Sequence, residues 1–177
     1  MPKPIQLRIA TNDDIDVFIT AAIQDFFSGS EEEARSNLGP YDENDTSFII
    51  AYEDDAPVAI VTIRWNPHYP PFKEAGIPLI QNLEVKWELR GMGYGNRVME
   101  AIEQHIAKRA DKAGICVALF DDYGPAQRLY VRRGFVPDGR GACHRFTPLK
   151  QGQTITLNGD HLIWLVKDVR DLQQDAD

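Results

Sequence analysis

Three alternating glycines, Gly91, Gly93 and Gly95, stand in the segment LRGMGYGNRVM, immediately before an apolar pattern of helical period. Glycine is unfavourable inside helices and strands, but it allows a positive φ angle and lets a bulky ligand approach the main chain. A strand pattern precedes the glycines, and the N–H groups at the start of the following helix favour an anion. The pattern therefore predicts a main-chain site for a polyphosphate, and a tight strand–helix turn without a ligand is the alternative.

Two common phosphate-binding motifs do not fit this segment. A P-loop requires lysine followed by serine or threonine after its last glycine, whereas Asn96 and Arg97 stand here. The dinucleotide fingerprint requires glycine at the position of Asn96, and no early βαβ unit leads into the segment. A nucleotide-binding oxidoreductase is therefore the least favoured function.

The spacing Arg90-x-x-Gly93-x-Gly95 resembles the acyl-CoA motif R/Q-x-x-G-x-G/A of the GNAT N-acetyltransferases. Downstream, AQRLYVRRGF at residues 126–135 is similar to the second signature of that family. The predicted initial order of strand, helix, helix, strand, strand is also the family's order. The resemblance covers the whole chain and is most specific over residues 79–136. Residues 122–141 further resemble a bacterial subgroup whose substrate is unassigned.

The resemblance implies an acetyl-CoA site between splayed fourth and fifth strands of a mixed, mostly antiparallel sheet that helices flank. Main-chain groups of the fourth strand would pair with the pantetheine arm, and one N–H there would polarise the thioester carbonyl. The pyrophosphate would bind the N–H groups of residues 91–96. The implied cofactor-binding residues are Leu83, Val85, Arg90, Gly91, Met92, Gly93, Tyr94, Gly95, Asn96, Tyr123 and Ala126.

Two tyrosines of the second signature receive roles from the resemblance. Tyr130 falls on the family's tyrosine, which protonates the departing thiolate. The alternative is a core tyrosine, because Tyr130 shares one face of a short amphipathic helix with Ala126 and Leu129. Tyr123 stands where many family members have an asparagine that contacts the cofactor, so this chain departs from the pattern at that contact.

The general base is predicted from the alternation of side chains along the fourth strand. Asn82, Glu84 and Lys86 share one face of that strand, and a polar face on a central strand is costly unless it lines a cleft. Glu84 is therefore the first candidate to take the proton of the amine, through a water molecule. Asp121 and Asp122 are rival bases that could also bind a cationic acceptor. A solvated carboxylate at the end of a strand is the alternative for all three.

Hydrophobic periodicity places these residues in one α+β (α/β) domain, residues 1–170, followed by a short acidic tail at residues 171–177. Thr11 and Ser30 are the predicted N-caps of the first two helices. Gly114 is predicted to end the helix that follows the glycines, and the proline-rich residues 66–72 predict a loop. The predicted strands lie at residues 5–10, on both sides of a turn at Asp54 and Asp55, and at residues 77–85, 115–120 and 161–169. The other predicted helices lie at residues 95–113 and 124–134. The core stripe predicted for the first of them includes Met99, Ile102, Ile106 and Ala110.

Composition excludes several classes of function. The chain of 177 residues has a net charge of −8, which is unfavourable for binding nucleic acid. No apolar run approaches the roughly 20 residues that span a bilayer, and the first residues lack the apolar segment of a signal peptide. Two cysteines, Cys116 and Cys143, make neither a zinc site nor, in this context, an expected disulfide. These features predict a cytoplasmic protein without a metal or a membrane partner.

Charge is distributed unevenly and bears on the acceptor. Residues 1–60 have a net charge of −10, whereas residues 61–177 have a net charge of +2. In the resembled family the first two helices form a wall of the acceptor cleft, so we expect a cationic acceptor, with solubility alone as the alternative explanation. The acidic residues of this wall are Asp13, Asp14, Asp16, Asp25, Glu31, Glu32 and Glu33.

The leading function is therefore acetyl-CoA-dependent transfer of an acetyl group to the amine of a small molecule or peptide. A non-catalytic acyl-CoA-binding or sensing domain on the same fold is the alternative, because a fold does not fix a function. The sequence leaves the acceptor and the oligomeric state open, with a homodimer among the alternatives.

Overall fold

The computed structural model describes residues 3–26 and 30–173, which form an α+β fold of two compact units. One unit comprises Met1–Trp65 and Ile80–His105, and the other comprises Asn66–Leu79 and Ile106–Asp177. The strands are β1 (Ile5–Ile9), β2 (Thr46–Glu53), β3 (Ala56–Arg64), β4 (Leu79–Val85), β5 (Lys112–Ala118), β6 (Val136–His144), β7 (Thr147–Pro148) and β8 (His161–Asp168). The helices are α1 (Ile15–Phe26), α2 (Glu31–Leu38), α3 (Pro70–Glu74), α4 (Tyr94–Ala107) and α5 (Gly124–Arg132).

The first unit contains strands in the order β1-β2-β3-β4, with antiparallel pairing of β1 to β2 and of β2 to β3. The hairpin between β2 and β3 closes at Asp54, which has a φ angle of 53°, so the predicted turn is confirmed. Side chains of α1 and α2 pack with those of β2 and β3. Their buried cluster consists of Ala10, Phe18, Ile19, Ala22, Leu38, Phe48, Ile50 and Ile60.

The first two helices begin in different ways. Ser30 and Glu33 form the predicted capping box, because each side chain accepts a hydrogen bond from the other residue's backbone N–H. The prediction of Thr11 as an N-cap is wrong, since α1 begins four residues later. The Asp14 carboxylate instead accepts from the Thr11 backbone N–H at 2.7 Å and from its hydroxyl at 3.0 Å, which forms a turn ahead of α1.

The second unit contains strands in the order β5-β8-β6-β7, and the paired strands are antiparallel. Aromatic side chains dominate its core. The Tyr69 ring stacks on the Trp164 ring with centroids 3.9 Å apart, and the Phe72 ring meets Trp164 edge-on. Tyr69 is the N-cap residue of the short helix α3, and Phe72 lies within that helix. Part of the predicted loop is therefore helical, because prolines at the first positions of α3 favour the start of a helix, and the loop prediction is wrong there.

The end of α4 and the start of β5 also differ from the prediction. The helix ends at Ala107 rather than at residue 113, and Gly114 lies inside β5 instead of ending the helix. A Cβ atom at Gly114 would lie 2.2 Å from the Phe72 ring, so glycine is required there by packing. Strands β6 and β7 have no counterpart among the predicted strands.

Both cysteines are free thiols. Burial raises the pKa of the Cys116 thiol to about 11, and it also raises the pKa of Cys143. Residues 171–173 of the predicted tail belong to a 3₁₀ turn at Arg170–Gln173, and residues 174–177 lie outside the described residues. Within the described ranges, no helix is both long and apolar enough to cross a bilayer.

Candidate functional site

The segment of residues 90–96, which leads from the end of β4 into the first turn of α4, is called the glycine turn. Gly91 and Gly93 have φ angles of 77° and 87°, a conformation that other residues adopt only with strain. A Cβ atom built at either glycine meets no described atom within 4 Å. The constraint at both positions is therefore backbone conformation, and the space beside them is open to a ligand.

Helix α4 starts at the end of this turn. Its first backbone hydrogen bonds run from the N–H groups of Asn96 and Arg97 to the Gly93 carbonyl, at 3.2 and 3.3 Å. The N–H groups of the residues before Asn96 precede this ladder, and such groups at a helix start favour an anion. The predicted core stripe is confirmed by complete burial of Met99, Ile102 and Ile106. Ala110, which was predicted as part of the same stripe, lies beyond the end of the helix at Ala107.

Arg90 connects the glycine turn to the end of β4. One guanidinium nitrogen of Arg90 donates to the Glu84 carboxylate at 2.9 Å, and its Nε donates to the Val85 carbonyl at 3.1 Å. The guanidinium also lies 4.9 Å from the centre of the Trp87 ring. The Glu84 side chain is 46% exposed, so the pair is in partial contact with solvent.

The two influences on Glu84 oppose each other. Burial raises the pKa of the Glu84 carboxyl, and the positive charge of Arg90 lowers it, with a raised pKa as the net result. A carboxylate with a raised pKa is a better proton acceptor than an ordinary surface carboxylate. Glu84 therefore has the properties of a general base, and its role stays a prediction.

The strand that positions Glu84 is irregular. Asn82 has a φ angle of 53°, which interrupts the alternation of side chains on which the predicted polar face depended. Its amide donates to the Asn37 carbonyl at 3.1 Å, while the Lys86 ammonium lies 2.9 Å from the Asp25 carboxylate. The argument that Asn82, Glu84 and Lys86 share one polar face of β4 therefore fails, because it assumed regular alternation through Asn82.

The second unit contains the other candidate catalytic residue. Tyr130 lies in α5, is 7% exposed, and has its ring 6.2 Å from that of Phe135. The Gln127 side chain donates to the carbonyl of Ala118, the last residue of β5, at 2.8 Å and so fixes α5 to that strand. Glu84 and Tyr130 belong to different units.

The remaining candidates lie at or near the start of α5. Tyr123 is the N-cap residue, is 42% exposed, and meets the Phe120 ring edge-on at 5.0 Å. Ala126 lies in the first turn of the helix. The rival bases Asp121 and Asp122 are both exposed in the preceding 3₁₀ turn. Solvent therefore screens these two carboxylates more than Glu84.

Two residues at the site were absent from the sequence-based prediction. Glu53, at the end of β2, accepts hydrogen bonds from the Tyr94 hydroxyl and the Arg97 guanidinium. Gln127 anchors α5 as described above. Neither side chain has a local sequence signal. Glu53 is 41 positions from Tyr94 and 44 from Arg97, and Gln127 is nine positions from Ala118. No cluster of three or more histidine, cysteine or carboxylate side chains suited to a metal occurs in the described ranges.

A family model described as the acetyltransferase (GNAT) family matches residues 17–135. The aminoglycoside acetyltransferase AAC(6')-Ib, solved with coenzyme A, is 15% identical with a TM-score of 0.65, over 97% of this chain and 98% of that one. Mutant forms of the spermidine/spermine N-acetyltransferase from Vibrio cholerae are 14% identical with a TM-score of 0.60, over 98% of both chains.

A ribosomal-protein alanine N-acetyltransferase from Escherichia coli is 14% identical with a TM-score of 0.59, over 93% of this chain and 94% of that one. At these identities the structural likeness shows the fold. No curated protein sequence matches the chain significantly.

Proposed function

Because the chain belongs to the GNAT family of acetyltransferases, we propose that it transfers the acetyl group of acetyl-CoA directly to a primary amine of a small-molecule or peptide acceptor. The amine nitrogen bonds to the acetyl carbonyl carbon, the carbon–sulfur bond breaks, the nitrogen loses a proton, and the thiolate gains one. The observation that carries this proposal is the glycine turn, in which left-handed glycines leave open space before the N–H groups of α4. Residues 1–170 would act as one catalytic domain.

In the proposed mechanism the main chain binds the co-substrate. The N–H groups of Gly91, Gly93, Tyr94 and Gly95 hold the pyrophosphate, because a helix start stabilises an anion. Those of Met92 and Asn96 donate to the Leu89 and Gly93 carbonyls. Main-chain groups of Leu83 and Val85 pair with the pantetheine arm, and one N–H among them stabilises the negative charge that develops on the carbonyl oxygen. Arg90, Met92, Tyr94, Tyr123 and Ala126 complete the proposed cofactor site.

Proton transfer is assigned to two side chains. Glu84 takes the proton of the amine through a water molecule, which its raised pKa supports. Tyr130, which is 7% exposed on α5, gives a proton to the departing thiolate. Asp121 and Asp122 are the weaker candidates for the base, because both are exposed to solvent; they fit a role in binding a cationic acceptor.

The acceptor is an amine, and its identity is a separate question. The similar structures are named for acetylation of spermidine or spermine, aminoglycosides and a ribosomal-protein alanine, which are all amines. The acidic wall predicted from sequence is partly neutralised within this chain, which weakens electrostatic steering of a cation. Its ion pairs are Asp14 with Arg8, Asp16 and Glu31 with Arg35, and Asp25 with Lys86.

The test is direct. Purified protein is incubated with acetyl-CoA and a panel of spermidine, an aminoglycoside and peptides with free N-termini, and CoA release and acetylated product are measured. Product with at least one amine class supports the proposal. Binding of acetyl-CoA with a raised melting temperature, but no product in any class, would favour the acyl-CoA-sensing alternative. Absence of acetyl-CoA binding would contradict both functions.

A further inference from the structure

We propose that Glu53 is a positioning residue that holds the first turn of α4 in the geometry that binds the pyrophosphate of acetyl-CoA. The proposal rests on the acetyl-CoA site proposed above and adds to it a residue outside both family signatures. Glu53 ends β2, 37 positions before the glycine turn begins at Arg90. Its role is therefore visible only in the folded chain.

The contacts of Glu53 reach two residues of one helical turn. One carboxylate oxygen accepts from the Tyr94 hydroxyl at 2.5 Å, and the other accepts from the Arg97 guanidinium at 2.5 Å. The Arg97 guanidinium lies 4.9 Å from the centre of the Tyr94 ring and also donates to the Lys3 carbonyl. The Glu53 and Arg97 side chains are 23% and 20% exposed, so solvent competes only partly for these bonds.

The position of these contacts explains why they matter. Tyr94 is the first residue of α4 and directly follows Gly93, while Arg97 lies three residues later on the same side of the helix. Gly91 and Gly93 have no side chains that could hold the turn. Glycine also loses more conformational freedom on ordering than any other residue, so the turn needs contacts from elsewhere to fix it. A carboxylate that binds both ends of the first helical turn supplies that fixation, and a site that is rigid before binding gives higher affinity.

The charges are also consistent with an anion nearby. An isolated carboxylate beside a pyrophosphate site would repel the ligand, but Arg97 compensates the charge of Glu53. The Tyr94 hydroxyl and the Arg97 guanidinium both hold the pKa of Glu53 below its usual range, so the carboxylate stays ionised and the bonds stay formed at neutral pH. The three side chains thus act as one unit with little net charge.

The experiment compares Glu53→Ala, Glu53→Gln and a matched control, Asp55→Ala, which removes an exposed carboxylate from the same hairpin. Isothermal titration calorimetry with CoA is the main readout, and urea unfolding measures stability. We expect Glu53→Ala to raise the Kd for CoA about tenfold, the value of one charge-assisted hydrogen bond. Glu53→Gln should raise it less, because the amide oxygen still accepts one bond, and Asp55→Ala should leave it unchanged.

A second readout separates positioning from general stability. Amide hydrogen exchange at residues 93–96 of the free protein should be faster in Glu53→Ala than in the wild type. If Glu53→Ala binds CoA as tightly as the wild type, the proposal is overturned, whatever happens to its stability. If Glu53→Ala does not fold, Tyr94→Phe removes only the hydroxyl contact with Glu53. Faster amide exchange at residues 93–96 of the free variant, which a lost contact with the cofactor would not cause, supports the proposal, and unchanged exchange overturns it.

The failure of this inference is distinguishable from the failure of the proposed function. A wild-type protein that does not bind CoA would refute the acetyl-CoA site, and with it the pyrophosphate role of Glu53. If the wild type binds CoA, unchanged CoA affinity in Glu53→Ala would refute the positioning role alone.

Discussion

The Arg90 guanidinium and the Glu84 carboxylate form an ion pair at 2.9 Å, which links the glycine turn to the candidate base at the end of β4. The arginine that the acyl-CoA motif assigns to the cofactor therefore also contacts the residue predicted to accept the proton. Because Arg90 opposes the effect of burial on the pKa of Glu84, one side chain influences both the turn and the base.

The first prediction concerns pH dependence. A general base must be ionised to accept a proton, so kcat/KM falls as the pH falls through the pKa of Glu84. Arg90→Gln removes the charge that lowers this pKa, so the acid limb of the profile should move to higher pH. The profile of kcat/KM against pH measures this directly. Arg90→Lys keeps a positive charge and is the matched control; an acid limb that stays in place in Arg90→Gln would remove Glu84 from the mechanism.

The second prediction concerns the glycine turn. Gly93→Asp places a carboxylate where the pyrophosphate is proposed to bind, and we expect loss of acetyl-CoA binding and of the associated rise in melting temperature. Gly152→Asp is a closely matched control, because Gly152 has a φ angle of 84° and open space around its Cβ position. Both variants bear the same backbone strain, so they should lose similar stability and differ only in binding. Normal acetyl-CoA binding by Gly93→Asp would show that the phosphate lies elsewhere.

The third prediction concerns Tyr130. Tyr130→Phe keeps the ring that packs near Phe135 and removes the proposed acid, so kcat should fall by about 10² to 10⁴ with little change in the Kd for acetyl-CoA. Steady-state kinetics with the best amine of the panel measures the effect. Tyr41→Phe is the control, since the Tyr41 hydroxyl donates to the Ala10 carbonyl and should affect stability alone. An unchanged kcat in Tyr130→Phe would leave only a packing role.

The fourth prediction tests the packing of the second unit. Gly114→Ala should lower the free energy of unfolding by about 1 to 3 kcal/mol, because the added Cβ atom would lie 2.2 Å from the buried Phe72 ring. Urea unfolding measures this loss. The double variant Gly114→Ala with Phe72→Leu should recover part of it, since leucine lacks the colliding ring atoms. A double variant whose loss equals the sum of the two single losses would argue against the clash.

The sequence was sufficient for elements whose signals are local. The capping box of α2, the hairpin turn at Asp54 and the buried stripe of α4 each depend on residues within a few positions, and all three are confirmed. The three alternating glycines also indicate a turn that needs positive φ angles. Gly91 and Gly93 have them, because only glycine adopts this conformation readily, whereas Gly95 lies inside α4 without one.

Features that depend on distant residues were not predictable in this way. The sequence predicts too long a helix α4 because alanines continue its apolar period. Gly114 lies in β5 instead, where contact with the Phe72 ring of α3 requires glycine. Strand β6 contains Pro137, Gly139 and Gly141, which are depleted in strands, so pairing with β8 rather than propensity forms it. The partners of Glu53 and Arg90 depend on how the chain folds and have no sequence signature.

The two free thiols have a practical consequence for assay chemistry. With pKa values raised by burial, Cys116 and Cys143 are almost entirely protonated at neutral pH, and a protonated thiol is a poor nucleophile. A thiol-specific chromogenic reagent should therefore react with released CoA much faster than with the folded enzyme, so the background of a continuous assay should be low. The same property would let a single engineered surface cysteine be labelled with a fluorophore without first removing the native ones.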